Sequence, residues 1–551
     1  MRVTARGGFV AASQQPTDPA AESSATGRPP SARRRWLRVA PWALGVVAAF
    51  TCYLRLAETR AVNSDGSAQA LQAWDMLHGN LLLHGWQLTD ITMYTTELPE
   101  YMLVELVRGL NTGVVHVAAA VTYTLVLLLA ALLAKGRATG RPALVRVLIT
   151  VGIMLAPQLA EGINILISSP DHFGISVPLL LLFLVLDRAR PRWYVPVVAA
   201  VVLAWATFAD SLVLLIAVLP LVLVCAVRVV RAVGVQGQSV KAQWYELGLG
   251  AGALVGGGAA WLALRHIPAS AFAFAATGAH IPVAPAVLPH HVNLTAQGLL
   301  LLAGADFIGQ PVGVASAVMV LHLVGAALAV LGVLVALAQF ARGRDLVDDV
   351  LVSGVVFNLA AYALSTLAVA VYASREFDPV LPFAAVLAGR LLADRVLKVR
   401  LLPAALLVVL AGYLGGLGYE LAQPPVPAQN QQLASWLSEH HLYRGLSGYW
   451  QSSVVTLATQ EHVRVLQLKV AGDRVVPYVT EVKTTWYDPR QNSANFVVLA
   501  PAVAEYSGFD DKTAVLTTFG QPARDYHVGP YQILVYNKNL LRDLPRTGSA
   551  Y

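Results

Sequence analysis

The chain has 551 residues, of which 56% are hydrophobic and only 13% charged, with a formal net charge of +7. A soluble protein of this length needs far more polar surface, so the composition excludes one and points to lipid as the solvent. The positive balance names no partner until the positions of its charges are known.

Residues 1–35 are rich in Ala, Ser, Pro and Arg without apolar period and read as a disordered cytoplasmic tail. Arg33, Arg34, Arg35 and Arg38 then lead into an apolar run from Val39 to Ala57. A cleaved signal peptide is the alternative, but the long tail and long run favour a retained first spanning helix. Further apolar runs at 113–134, 145–167, 174–187, 193–209, 211–230, 244–264, 311–340, 349–371, 379–394 and 401–419 bring the expected total to about eleven spanning helices. Helices rather than strands are expected because each satisfies its own backbone in lipid. The expected architecture is an α-helical polytopic membrane bundle over 36–422, with a C-terminal extracytoplasmic α/β domain over 425–551.

Basic residues give the orientation. Lys135, Arg137, Arg141 and Arg146 share one loop, and Arg188, Arg190 and Arg192 another. Arg228, Arg231 and Lys241, then Arg342 and Arg344, then Arg390, Arg395, Lys398 and Arg400 follow. With a cytoplasmic N-terminus every group falls inside, which is the positive-inside pattern of a plasma-membrane protein. The basic excess is therefore a topology signal, and no nucleic-acid partner is expected. Cys52 and Cys225 fall near opposite faces, so no disulfide between them is expected.

The first outer loop, 58–112, is long. Asn63-Ser64-Asp65-Gly66-Ser67 reads as a helix start, with Ala68, Leu71, Trp74 and Leu77 at helical spacing until Gly79-Asn80. A second start at Thr96 has Pro99 in its first turn, and Leu98, Met102 and Leu106 as its apolar stripe. Both helices are expected to lie amphipathically on the membrane surface. The loop 265–310 holds a further apolar segment, Gly298 to Ala303. Pro-Pro-Val-Pro at 424–427 reads as a linker, Leu433 to His441 as a helix. Strands are expected at Ser453–Leu457, Val463–Val470, Asn495–Leu499, Ala514–Thr518 and Tyr531–Tyr536.

Chemistry belongs to the outer loops. Asp65, Asp90, Glu97 and Glu100 lie in the first, Asp171 and His172 in the second, Asp210 at the third turn and Arg375-Glu376 at a late one. A carboxylate at such a position can act as general base on an acceptor hydroxyl, and an arginine can hold a phosphate by paired hydrogen bonds. Structural readings stand beside these. Asp65 also fits a helix cap, Glu97 and Glu100 partner a helix dipole, and Asp210 fits a tight turn. Asp171-His172 fits a solvated turn, and Arg375 could pair with Glu376, Asp378 or lipid headgroups. His290-His291 has no third ligand at metal-site spacing.

Several short motifs carry a resemblance. They are Asn63-Ser64-Asp65-Gly66, Gly79-Asn80 through His84-Gly85-Trp86, and Ser374-Arg375-Glu376-Phe377-Asp378-Pro379. Gly448-Tyr449-Trp450 and Phe519-Gly520-Gln521-Pro522 follow in the C-terminal part. With this helix order the chain resembles the GT-C superfamily of membrane glycosyltransferases, in particular bacterial relatives of protein mannosyltransferases and aminoarabinose transferases. The resemblance implies transfer of a sugar from a polyprenyl-phosphate-linked donor to an extracytoplasmic acceptor (a cell-wall glycan, lipid or protein). It implies Asp65 as the family's first-loop acidic residue and catalytic group; from their place in the outer loops, Arg375, Asp171, His172, Asp210, Asp90 and Glu97 are the expected substrate- and phosphate-binding residues. There are departures. Many relatives carry two adjacent acidic residues where this chain has Asp65-Gly66, and no outer loop holds Asp-X-Asp, so a divalent metal is not expected. Two other readings stay open: a transporter or flippase using the in-span Glu161 and His322, and a scaffold whose outer domain stacks sugars on Trp450, Trp486, Tyr478 or Tyr487.

Overall fold

The computed structural model describes residues 32–89, 91–155, 165–267, 273–274, 281–340, 342–343, 345–501 and 508–545. The expected disordered tail up to residue 31, with Asp90 and Glu161, lies outside the described residues. The described residues divide into two compact units, one up to Val47 and one from Ala48 onward.

The chain begins with helix α1 (Ala32–Ala57), then α2 (Ser64–Leu77), strand β1 (Trp86–Leu88) and α3 (Glu97–Arg108). Helices α4 (Gly113–Lys135), α5 (Gly140–Met154), α6 (Ser176–Arg188), α7 (Tyr194–Ala209), α8 (Leu219–Val230) and α9 (Trp244–His266) follow. After strand β2 (Ala273–Phe274) come α10 (Leu288–Leu302), α11 (Val314–Phe340), α12 (Leu346–Leu364), α13 (Val380–Lys398) and α14 (Leu402–Leu421). Each predicted apolar run is met by a helix, and the chain is a multi-pass membrane protein. Among the described residues, six stretches, α4, Leu214–Val235, Val240–His266, α11, α12 and α14, are long and apolar enough to cross a membrane alone. The outward faces are apolar, as lipid requires: Val201 and Trp205 on α7, Leu331 and Leu334 on α11, and Leu407 and Val408 on α14 are all exposed.

One end of the bundle is fastened by Arg390. From α13 its guanidinium reaches Asp187 in the last turn of α6 at 2.9 Å, and Asp345 and Asp348 at the start of α12 at 3.0 and 2.5 Å. A basic residue read from sequence only as a topology marker is thus buried in an ion-pair network. The proposed in-span polar group His322 is likewise a packing element, its ring stacked 4.1 Å from that of Tyr413.

At the opposite end sits the first loop. Helix α2 does not lie on a surface as expected. Ser67, Gln69 and Gln72 are buried along with Ala68 and Leu71, because α3 and a C-terminal helix enclose it. Helix α3 does present an apolar face, but not the expected one. Leu98 is buried with Tyr101, Glu97 and Glu105, while Leu103, Leu106 and Val107 point outward. This inside-out polarity suits a helix whose outer face meets lipid and whose inner face meets protein. The 298–303 segment belongs to α10 rather than to a loop.

The C-terminal domain contains α15 (Gln431–Glu439), β3 (Arg444–Ser447), α16 (Tyr449–Ala458), β4 (Arg464–Ala471), β5 (Arg474–Pro477), β6 (Val482–Lys483), β7 (Phe496–Leu499), α17 (Lys512–Phe519), β8 (Arg524–Val528) and β9 (Tyr531–Val535). Its six-stranded sheet runs β5-β4-β3-β7-β9-β8. Strand β3 is parallel to β4 and β7, and the other pairings are antiparallel. Alternate residues fill two cores. Val465, Phe496, Val498 and Ile533 pack with Leu433 and Leu437, whereas Leu466, Val497, Leu499 and Leu534 pack with Val515 and Phe519. Two expected strands are helices. Residues 453–457 lie in α16 and residues 514–518 in α17, which Asp511 caps by accepting from the Ala514 N–H at 2.8 Å. Their β-branched content signals strand locally, but burial on one helical side against the sheet decides.

A second sheet joins this domain to the first loop, in the order β2-β1-β6. Strand β1 pairs with β6 through Trp86 opposite Lys483 and Gln87 opposite Val482. Lys483 Nζ reaches both carboxylate oxygens of Asp75 on α2 at 2.9 Å. The Pro-rich linker is stitched down as well, with Val426 N donating to Glu58 O at 2.9 Å and Gln429 N to Val62 O at 3.0 Å.

Candidate functional site

Helix α2 starts at Asn63, whose side chain accepts from the Gly66 N–H at 3.2 Å. That cap frees Asp65 from the capping role its position allows. Its carboxylate instead accepts from Arg375 Nη1 at 3.1 Å on one oxygen and from the Tyr449 hydroxyl at 2.5 Å on the other. The next residue must be small. A Cβ at Gly66 would stand 2.6 Å from Val115 Cγ1 and 3.1 Å from Ser169 Cβ, so the close seat of α2 on α4 leaves no room for a second acidic side chain.

Arg375 lies in a helical turn, Val371–Phe377, between α12 and α13. Besides Asp65 it faces Asp171 Oδ2 at 3.9 Å. Asp171 opens the turn Asp171–Ile175 with φ of +38°, in a region that non-glycine residues seldom occupy. Gln69 of α2 donates to its other oxygen at 3.0 Å. His172 points the opposite way, with Nδ1 2.6 Å from Asp210 Oδ2 and Nε2 3.3 Å from Glu376 Oε2. Asp210 is itself held by the Leu212 N–H at 2.8 Å, and the backbone at Ile91 bridges to it from the first loop.

Asp65, Asp171, His172, Arg375, Tyr449 and Glu481 therefore border one cavity of about 580 Å³, roofed by the C-terminal domain. Lys469 of β4 and Tyr478 line the roof. Of the residues singled out from sequence, Asp65, Asp171, His172, Arg375 and Glu376 line this cavity together with Trp450 and Tyr478, and Asp210 stands directly behind His172. Glu97 does not join them. It lies buried in a separate, mostly apolar groove of about 620 Å³ with Glu100, beside α3, α4 and α7. Asp90 falls outside the described residues. Sequence reasoning missed Tyr449 as a site residue and Glu481 altogether. Tyr449 sits in a noted motif, whereas nothing local marks Glu481, whose place is set by the β1–β6 pairing.

Electrostatics follow from burial. Burial pushes the Asp65 carboxyl up, Arg375 pulls it down, Asp171 pushes it up again and Tyr449 pulls it down, with a net upward shift. Burial disfavours a charged His172, but Glu376 and Asp210 outweigh it and hold the imidazolium well above its usual range. Arg375, despite desolvation, is kept charged by Asp65, Asp171 and Glu376. Burial raises Asp378 strongly, and both its oxygens lack a hydrogen-bond partner among the described residues. Glu97 is pushed to about 8 by burial. The cavity thus offers one carboxylate in contact with a guanidinium, flanked by a fixed imidazolium. Such a set can accept a proton and hold an anion within one small volume.

Comparison with solved structures bears on the whole arrangement. ArnT from Cupriavidus metallidurans, an aminoarabinose transferase, superimposes with a TM-score of 0.52 at 13% identity, over 93% of this chain and 100% of that one. The chain has the GT-C fold. The same protein bound to undecaprenyl phosphate gives a TM-score of 0.51 at 13% identity, over 92% and 99% of the two chains. The Archaeoglobus fulgidus oligosaccharyltransferase gives 0.46 at 12% identity, over 83% of this chain and 69% of its own. No protein-family profile matches the sequence, and no curated protein matches it significantly. At these identities the GT-C likeness is one of fold, and the chemistry rests on the site itself.

Proposed function

We propose that this protein transfers a sugar from a polyprenyl-phosphate-linked donor to an acceptor outside the cytoplasm, with Asp65 and Arg375 at the reaction centre. The observation that carries this reading is the meeting of Asp65 and Arg375, 310 residues apart in sequence, at 3.1 Å inside one cavity. ArnT, of the same fold, holds undecaprenyl phosphate, which supports a lipid phosphate as the carrier here. In the reaction the bond between the sugar's anomeric carbon and the phosphate oxygen breaks, and one to the acceptor heteroatom forms. The acceptor's proton passes to Asp65, and the polyprenyl phosphate leaves with its negative charge held by Arg375. Asp171 orients the guanidinium, and His172 fixes Glu376 and Asp210 at the cavity wall. The alternation of basic loops supports a cytoplasmic N-terminus, which puts the cavity and the C-terminal domain on the outer side.

The test uses membranes containing the protein, supplied with radiolabelled polyprenyl-phosphate sugars. Label should move to an acceptor with the wild type and fail to move with D65A. Removing the guanidinium in R375A should lower transfer by roughly 10²–10³-fold, the usual scale for losing a charge-stabilising donor. Equal transfer by D65A would remove Asp65 from the mechanism.

A further inference from the structure

The Tyr449 hydroxyl lies 2.5 Å from Asp65 Oδ1 and 2.5 Å from Glu481 Oε2. Two such short contacts between oxygens each require a hydrogen, and the phenol supplies one. The second must come from a carboxyl group, so Asp65, Tyr449 and Glu481 together carry a single negative charge. Arg375 sits 3.1 Å from Asp65, which places that charge on Asp65 and the extra proton on Glu481.

We infer that Glu481 is a neutral carboxylic acid that, through the Tyr449 hydroxyl, positions Asp65, so that the C-terminal domain completes the reaction centre. The inference rests on the proposed role of Asp65. Burial supports it by pushing Glu481 up to about 8, with nearby Asp65 adding to the rise.

The backbone around both residues is built to hold this contact. Glu481 has a φ of +49°, and it leads directly into β6, whose partner β1 belongs to the first loop. The Ser64 hydroxyl, next to Asp65, donates to the backbone carbonyl of Tyr449 at 2.7 Å. Thr484 N donates to Gly85 O at 2.6 Å. These clamps join α2 and the first loop to the C-terminal domain, at residues next to Asp65 and Glu481 on one side or the other, so the shared hydrogen bonds are fixed by both partners. Held neutral, Glu481 keeps a second negative charge away from the leaving phosphate and gives the Tyr449 oxygen a donor, leaving its hydrogen for Asp65.

The consequence is a pH dependence of defined sign. As pH rises through about 8, Glu481 loses its proton. The trio then has one hydrogen for two contacts and a second negative charge, so transfer falls. The charged groups facing Glu481 are Asp65 on α2, Tyr449 on α16, Asp171 and Arg375, with Lys469 on the same cavity wall. Tyr449 and Arg375 are both shifted upward, away from this window. Asp65 acting as base would give the opposite sign, a rate that rises with pH.

The experiment measures transfer against pH for reconstituted wild type, E481A and E481Q. E481A should lose about tenfold or more near pH 7, and E481Q, whose amide N–H can still donate to Tyr449, should recover most of that loss. The wild type should show the alkaline decline and E481Q should lack it. Infrared spectra give a readout that does not need activity. Glu97, Glu105 and Asp378 contribute protonated-carboxyl carbonyl bands to both proteins, so the readout is the wild-type minus E481Q difference spectrum at neutral pH, which should hold one further such band that shifts in D₂O. An alkaline decline that persists in E481Q, or no such band, overturns the inference. A wild type that transfers no sugar yet shows the band overturns the proposed function and leaves the protonation of Glu481 standing.

Discussion

Replacing Arg375 with alanine leaves Asp65 and Asp171, only 8% and 9% exposed, facing one another without their cation. Removing one member of a buried ion pair typically costs about 3–5 kcal/mol. The Arg375 side chain is 34% exposed to the cavity, so solvent screens part of that, and about 2–3 kcal/mol is expected. D65N on its own should cost less, because it removes a charge whose partner still has Asp171. The double variant D65N/R375A should then be more stable than the sum of the single effects, with a coupling of about 1–2 kcal/mol. R375K should fall between, since one ammonium keeps the charge but cannot span two carboxylates as a guanidinium does. Unfolding in SDS–detergent mixtures, followed by tryptophan fluorescence, measures the wild type and all four variants. Additive effects of D65N and R375A would refute the claim that these residues share a buried ion pair.

Three further outcomes follow from the same geometry. Burial raises Glu105 on α3 to about 9, above its unfolded value. Its contribution is therefore fully present below an unfolded pKa of ~4.3 and lost as pH rises through the folded value, at about 1.4 kcal/mol per pH unit. Thermal midpoints should drop between mildly acidic and alkaline pH in the wild type and drop less in E105Q; equal slopes would contradict the burial of this group. A cysteine at the exposed β4–β5 turn, D473C, should react with a membrane-impermeant maleimide on intact cells, whereas K398C at the exposed end of α13 should react only after permeabilisation, and the reverse pattern would invert the topology. G66A should destabilise the fold by about 1–3 kcal/mol by pressing on Val115, measured in the same unfolding assay, and an unchanged stability would mean that α2 has room to shift.

The bundle was legible because lipid imposes a coarse rule on sequence: long apolar runs separated by loops of alternating charge. Arg390 shows the limit of that rule, since a buried network with Asp187, Asp345 and Asp348 looks in sequence like one more basic loop. The helix start at 63–67 and the turn at Arg375 are visible locally, as are Asp65, Asp171 and Arg375 as candidates, whereas the cap itself falls to Asn63 rather than to Asp65. Glu97 shares the loop and charge of Asp65 but faces a different groove, because helix rotation decides which way it points and the α3 stripe reads ambiguously. The helices α16 and α17 were read as strands because Val454, Val455 and Val515 favour strand in isolation, and only packing on the sheet overrides that. Glu481 had no local signal at all. Its role depends on β6 crossing to β1, a contact spanning almost four hundred residues, and such pairings leave no mark in a single sequence.

The central claim is that Asp65 and Arg375 form a sugar-transfer centre beneath the C-terminal domain. Its most direct test is release of polyprenyl phosphate from a purified polyprenyl-phosphate sugar by the protein in nanodiscs, with acceptor lipid, glycan or peptide supplied, compared with D65N. The account predicts release matched by sugar gain on one acceptor in the wild type and none in D65N, although D65N still retains the donor lipid. Release at the same rate in D65N, or a wild type that binds the donor lipid and returns it unchanged with every acceptor, would contradict it.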